Sequence, residues 1–130
     1  AMSDVLYVCA PTPLQHGVAA GIPALGPSFY SDLIKEHKQK RDRFCGALSK
    51  AGLPPAVPQG AYYVLADMSR LPGKTSRERA LYLLDKTGVA GVPGEAFFDG
   101  PEGSRFMRFC MAKTDQDLER ASQAIEQFSR

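Results

Sequence analysis

Residues 89–113 read VAGVPGEAFFDGPEGSRFMRFCMAK, and this stretch constrains the fold more than any other part of the chain. Its pattern predicts a short strand, a Pro-Gly turn, an irregular loop and a second strand with an arginine in its middle. Side chains on a strand alternate between its two faces. Phe106 and Arg108 should therefore point to one side of the second strand, while Met107 and Phe109 point to the other.

Arg108 is a fixed positive charge in this apolar strand. A guanidinium keeps its proton, so burial requires a partner, and its planar fork suits a carboxylate or a phosphate. The nearest acidic residues along the chain, Glu102 and Asp115, fall in the flanking loops. Two interpretations are open. Arg108 pairs with a carboxylate from another element, such as Asp67 or Glu95, or it binds a ligand that carries a carboxylate.

Four segments, taken in order along the chain, resemble a known family. They are CAPTPLQHGVAAGI at residues 9–22, YSDLIKEHKQKRDRFCGALSKAGL at 30–53, PQGAYYVLADMS at 58–69, and the stretch at 89–113. Together they resemble the C-terminal part of class I and II aminotransferases, which are fold-type I enzymes that use pyridoxal phosphate. The resemblance is strongest to the branch of kynurenine/glutamine-type and aspartate-type aminotransferases.

The resemblance implies a role for Arg108, because it falls on the arginine that binds the substrate α-carboxylate in that family. The implied reaction passes an amino group between an amino acid and a 2-oxo acid, with pyridoxal phosphate as electron sink. The family's Schiff-base lysine and the aspartate under the pyridine nitrogen have no counterpart here. We therefore expect a chain that is inactive alone, with no catalytic, cofactor-binding or metal-binding residue of its own. Whether such a truncation is natural or made in the laboratory stays open.

The expected fold class is α+β, a two-layer sandwich in which a small, mainly antiparallel sheet is covered by helices. Two or three strands separated by helices, without a Gly-rich βαβ fingerprint, favour this architecture, and the aminotransferase small domain has it. Residues 1–27 are predicted to be a segment with a short helix left over from the large domain. Residues 28–130 are predicted to form the small domain, including the long interdomain helix.

Capping patterns predict where individual helices begin and end. Thr12 is expected to cap a short helix at residues 13–20, and residues 21–27 are expected to form a connection rich in helix breakers. Thr114, with Asp117 three residues later, predicts a capping box at the start of the last helix. Helices that lack their usual partner domain would expose apolar faces, which predicts a homo-oligomer, as in the dimeric family.

Composition limits the partners and the compartment. A net charge of +2 gives no strong field for nucleic acid or an anionic membrane. No apolar run approaches the roughly 20 residues that a membrane helix needs. The three cysteines lack metal-ligand spacing, and the N-terminus lacks a secretory signal pattern, so a reducing cytoplasm is expected.

Three functions stay open on these grounds. The first is a fragment of a pyridoxal-phosphate-dependent aminotransferase. The second is a fragment of a related pyridoxal-phosphate lyase or synthase, in which the carboxylate arginine is shared. The third is a non-catalytic interaction module that kept the small-domain fold.

Overall fold

The computed structural model describes residues 9–128. Within them lie the helices α1 (Thr12–Ala24), α2 (Pro27–Lys50), α3 (Ser76–Thr87) and α4 (Asp115–Phe128). The strands are β1 (Pro55–Ala56), β2 (Tyr63–Asp67), β3 (Val92–Pro93) and β4 (Phe106–Cys110), and two 3-10 helices, Gly94–Ala96 and Pro101–Arg105, separate β3 from β4. The chain forms two compact units that divide between Lys35 and Glu36. No helix in the described range is long and apolar enough to cross a membrane.

The strands make one antiparallel sheet in the order β1-β2-β4-β3. This confirms the predicted α+β class and the small antiparallel sheet. The sequence pattern indicated two or three strands, whereas the described residues form four. The additional strand is β1, which has only two residues and is too short to show an alternating pattern. Strand β3 lies within the short strand that was predicted before the Pro-Gly turn.

The core lies on one face of this sheet, which we call the inner face. Its members on β2 and β4 are fully or almost fully buried: Val64, Ala66, Met107 and Phe109. Helices supply the other side of the core with Phe44, Leu48, Leu83, Leu118 and Ile125. The rings of Phe44 and Phe109 meet edge to face, with centroids 5.6 Å apart. The alternation predicted for β4 is therefore confirmed, with Met107 and Phe109 on the buried side.

Two helix ends follow their sequence signals. The Asp117 N–H donates to Thr114 Oγ1 at 3.1 Å, which confirms Thr114 as the cap of α4. The Asp117 carboxylate accepts from the Thr114 hydroxyl at 2.7 Å, whereas a full capping box uses the backbone N–H of the cap residue. Helix α2 ends at Lys50, and Gly52, two residues later, has a left-handed φ of 70°. The Leu53 N–H closes this turn by donating to Leu48 O at 2.9 Å.

The start and end of α1 differ from the prediction. The helix begins at Thr12 with Pro11 as its N-cap residue, without a side-chain cap bond, and it continues through Pro23 to Ala24. Gly and Pro disfavour a helix by about 1 and 3 kcal/mol, and such single-residue costs do not forbid one. The sequence rule placed the end four residues too early for this reason. No residue of α1 is buried.

Three ion pairs join the second half of α2 to α4. They are Lys40 with Asp115 at 3.8 Å, Arg43 with Glu119 at 3.3 Å, and Lys50 with Glu126 at 3.0 Å. Lys40 is only 8% exposed and also binds Glu36. These polar side chains of α2 therefore face α4 and are not simply solvated.

Candidate functional site

Arg108 lies on the opposite side of the sheet, which we call the outer face. The half-buried residues of this face on β2 and β4 are Tyr63, Leu65, Asp67, Phe106, Arg108 and Cys110. The strand register sets Leu65 directly across from Arg108 and Tyr63 across from Cys110. Tyr63 is thus the diagonal neighbour of Arg108, within reach of a long side chain.

The Arg108 guanidinium sits between two aromatic rings. Its central carbon lies 4.2 Å from the ring centroid of Tyr63 and 4.0 Å from that of Phe97. Both distances fall within the range for an attractive cation–π contact. Tyr63 comes from β2, while Phe97 follows the 3-10 helix Gly94–Ala96. Two separate parts of the chain therefore converge on one charge.

No carboxylate neutralises Arg108 within residues 9–128. Its Nε is buried and has no hydrogen-bond partner there. The two acids considered from the sequence are engaged elsewhere: Asp67 accepts hydrogen bonds from Ser69, and Glu95 accepts one from the Ser76 N–H at 3.4 Å. A buried polar group normally has a hydrogen-bond partner, so the Arg108 Nε–H is a donor that can still take a ligand as its partner.

Phe97 is held in place by a tight loop crossing. A Cβ on Gly94 would stand 2.7 Å from Phe106 O, closer than real Cβ atoms come, so only glycine allows this approach. The neighbouring Glu95 N–H donates to Ser76 Oγ at 3.3 Å, and the Glu95 carboxylate accepts from the Ser76 N–H in return. These contacts tie the segment before Phe97 to the start of β4 and to the first turn of α3.

Tyr62 and Tyr63 form an aromatic pair beside the arginine. Ala61 adopts a left-handed φ of 65°, which is unusual for a residue with a Cβ, and the two rings that follow lie 4.3 Å apart. A hydrogen bond with Tyr62 raises the pKa of Tyr63, and the nearby charge of Arg108 opposes this shift only in part.

The second arginine of the strand region behaves differently. The Arg105 side chain is 55% exposed, and its Nε lies 3.3 Å from Asp67 Oδ2. Burial alone raises the pKa of Asp67, but hydrogen bonds from Ser69 and the charges of Arg105 and Arg79 outweigh it and bring the pKa below its ordinary value. Arg105 thus forms a surface ion pair with Asp67, in contrast to Arg108.

Sequence reasoning did not foresee the two rings that contact Arg108. Tyr63 was not singled out from the sequence, although the register of two neighbouring strands could have placed it diagonally from Arg108. Phe97 lies in an irregular loop, where no periodicity indicates which way a side chain points.

The chain matches the family model described as aminotransferase class I and II over residues 1–125. It belongs to this family. Kynurenine–oxoglutarate transaminase 3 of Homo sapiens is 30% identical in an alignment 144 positions long, gaps included, which covers 97% of this chain and 32% of the relative. LL-diaminopimelate aminotransferase of Nitratidesulfovibrio vulgaris is 38% identical over 109 residues, covering 82% of this chain and 27% of the relative.

Solved structures of the family share the fold. An Escherichia coli protein with a methionine aminotransferase function superposes with a TM-score of 0.79 at 30% identity, over 95% of this chain and 32% of its own. The chain thus spans about a third of the length of the curated relatives it matches. It is a small α+β fold of the kind found in class I and II aminotransferases.

Pyridoxal phosphate is the cofactor that this family implies, and the residues that contact Arg108 do not by themselves make a site for it. The groups that contact Arg108 are two aromatic rings, and neither supplies an amine for the cofactor aldehyde. What the outer face does offer is one cation suited to a carboxylate.

Proposed function

We propose that this chain is part of a pyridoxal-phosphate-dependent aminotransferase and that Arg108 binds the α-carboxylate of the amino acid or 2-oxo acid substrate. The observation that carries the proposal is the state of the guanidinium, with its Nε buried and unpartnered and no acidic residue paired with it within residues 9–128. A carboxylate would supply the missing acceptors in the planar, two-pronged geometry that arginine favours.

The surroundings of Arg108 strengthen such a pair. The two rings shield the guanidinium from water, and a hydrogen bond to a charged group contributes about 1.5–3 kcal/mol, more where water is excluded. Fixing the carboxylate also fixes the orientation of the neighbouring α-carbon. Orientation of this kind supplies a large share of the rate enhancement of many enzymes.

The proposal includes a dependence on residues outside this chain. We expect the residues that hold the cofactor to lie outside this chain, so the chain by itself is expected to be inactive. Related lyases and synthases share a carboxylate arginine, and no feature of the outer face favours them over an aminotransferase.

Self-association is part of the same proposal. Leu14, Val18 and Ile22 of α1 are 62–65% exposed and repeat every four residues, which places them on one side of the helix. An apolar row of this kind fits a covered surface. A second copy of the chain or the remainder of the enzyme would supply the cover.

The carboxylate role is tested by titrating the arginine-labelled chain with acetate and following the Arg108 Nε–H and Nη–H signals by NMR. Sodium chloride at equal ionic strength controls for screening. We expect saturable shifts at Arg108 that disappear in Arg108→Gln and persist in Arg105→Gln, since Arg105 already pairs with Asp67. Equal response in both variants would remove Arg108 from the site.

Two further measurements concern the complete enzyme and the cofactor. In a complete enzyme containing this sequence, Arg108→Ala should raise KM and lower kcat, and unchanged kinetics would contradict the proposal. The isolated chain, mixed with pyridoxal phosphate and reduced with borohydride, should give no stoichiometric adduct at a single lysine on peptide mapping. A single modified lysine would show that the chain holds a cofactor site of its own.

A further inference from the structure

We infer that Tyr63 and Phe97 are positioning residues that clamp the Arg108 guanidinium and so set its direction toward a bound carboxylate. The inference rests on the proposed function, in which Arg108 is the carboxylate-binding group. It goes further by assigning the orientation of the guanidinium to two aromatic rings, which are not proposed to hydrogen-bond the carboxylate themselves.

The need for a clamp follows from what Arg108 lacks. An arginine side chain has many rotamers, and an ion pair usually restricts them. Within residues 9–128 no acid does so for Arg108, and its Nε makes no hydrogen bond. The contacts that remain are the two rings at 4.2 and 4.0 Å from the guanidinium carbon. These rings therefore restrict the guanidinium end of the side chain before a ligand binds.

Each ring is fixed by a different part of the structure. Tyr63 belongs to β2, whose five residues pair one to one with those of β4. Phe97 is anchored through the Gly94 crossing and the reciprocal hydrogen bonds between Glu95 and Ser76. A guanidinium between two independently fixed rings can turn less than one that rests on a single ring.

Exposure separates this role from an ordinary packing role. Phe97 is 43% exposed, although it is a large apolar residue, and it is not part of the buried core cluster. Its removal should leave the core intact and act on Arg108. Loss of one cation–π contact at a partly exposed site corresponds to about a two- to fivefold loss of carboxylate affinity.

The test uses the full chain with labelled arginine and acetate as the probe. Phe97→Leu and Tyr63→Leu remove one ring each, whereas Phe97→Tyr and Tyr63→Phe keep a ring in place. Tyr82→Leu is the matched control, because Tyr82 has its own cation–π contact, with Lys86, and does not contact Arg108. The readouts are the acetate dissociation constant and the chemical shift of the Arg108 Nε–H, which ring currents displace.

The expected result is that both leucine variants bind acetate about two- to fivefold more weakly and move the Arg108 Nε–H signal toward its free-arginine position. The tyrosine and phenylalanine replacements should restore both readouts, and Tyr82→Leu should change neither. Backbone amide spectra report whether each variant is folded. A merely structural role would not give ring-dependent rescue of the Nε–H signal.

Failure of the clamp and failure of the proposed function look different. If acetate binds at Arg108 equally well in the wild type and in both folded leucine variants, the clamp is overturned and the carboxylate role stands. If acetate never shifts Arg108 in the wild type, the carboxylate role fails. In that case, if the Arg108 Nε–H shift is also unchanged in the leucine variants, the clamp is overturned too. If the shift does depend on the rings, they hold the guanidinium but do not promote acetate binding.

Discussion

The two faces of β4 use alternate residues of one strand for opposite purposes. On the inner face, Met107 and Phe109 are at most 2% exposed and pack into the core. On the outer face, Phe106, Arg108 and Cys110 are half-buried, and the arginine is left with an unpartnered donor. Residues that stabilise the core and the residue proposed to bind a ligand therefore alternate along β4, one position apart in sequence and on opposite faces of the sheet.

A substitution on the inner face should have the largest effect on folding. Phe109→Ala removes a 2% exposed ring that meets Phe44 edge to face, and such a change costs about 3–5 kcal/mol in the free energy of unfolding. Urea denaturation measures it. The outer-face change Phe97→Ala should cost much less, and an equal loss in the two variants would break the distinction between the faces.

The loop that carries Phe97 to the outer face should be the next most sensitive point. Gly94→Ala places a Cβ 2.7 Å from Phe106 O, and overpacking against backbone costs about 1–3 kcal/mol. Gly46→Ala is the matched control. Gly46 lies inside α2 with nothing within 4 Å of a new Cβ, so this change should stabilise the fold by about 0.5–1 kcal/mol. Thermal unfolding of the two variants should shift in opposite directions.

The outer face should also give the fold a pH dependence through Asp67. Because the pKa of Asp67 is below its ordinary value in the fold, its stabilisation is full above the unfolded pKa near 4 and is lost as pH falls through the lower folded pKa. Asp67→Asn should cost about 1 kcal/mol at neutral pH. The difference between wild type and variant should shrink in urea titrations below about pH 4. A difference that grows on acidification would contradict this assignment.

Backbone strain beside the aromatic pair should give a smaller change of opposite sign. Ala61 has a φ of 65°, so Ala61→Gly should raise the free energy of unfolding by roughly 0.5–1 kcal/mol. Gly88 is the inverse control, since it has a φ of 70° and nothing within 4 Å of an added Cβ. Gly88→Ala should lower stability by a similar amount. If both substitutions stabilised the fold, the left-handed backbone would not be the cause of the stability changes.

The smallest effect on folding is expected at the site itself. Arg108→Met loses two cation–π contacts and also removes a buried donor without a partner, so the free energy of unfolding should change by less than about 1 kcal/mol. Acetate binding should be lost in the same variant. A large loss of stability would show that Arg108 is a structural residue and that both faces of the sheet contribute strongly to the free energy of unfolding.

The residues that sequence reasoning placed correctly are those governed by a local rule. The alternation along β4 and the Thr114 cap of α4 each follow from spacing within a few residues. The partners of Arg108 depend on a strand register and on a loop crossing, which join positions distant in sequence. Phe97 could not be assigned because its position depends on Gly94 approaching the backbone at Phe106, a contact without a sequence pattern.

The end of α1 was mispredicted for a related reason. Gly21 and Pro23 were interpreted as stop signals, but a propensity is a small energy that other interactions override. The short strand β1 shows the same limit, because two residues carry no periodicity. Local signals thus identified the longer strands and α4, while the environment of the site arose from long-range geometry.

The ring of Tyr63 against Arg108 has an optical consequence. The chain contains five tyrosines and no tryptophan, so its near-ultraviolet emission comes from tyrosine. One of these fluorophores stands 4.2 Å from the guanidinium carbon that is proposed to receive a carboxylate. Occupancy at Arg108 should therefore modulate the intrinsic fluorescence of Tyr63 without any attached dye. Tyr63 is thus a built-in fluorescent reporter beside the proposed carboxylate-binding group.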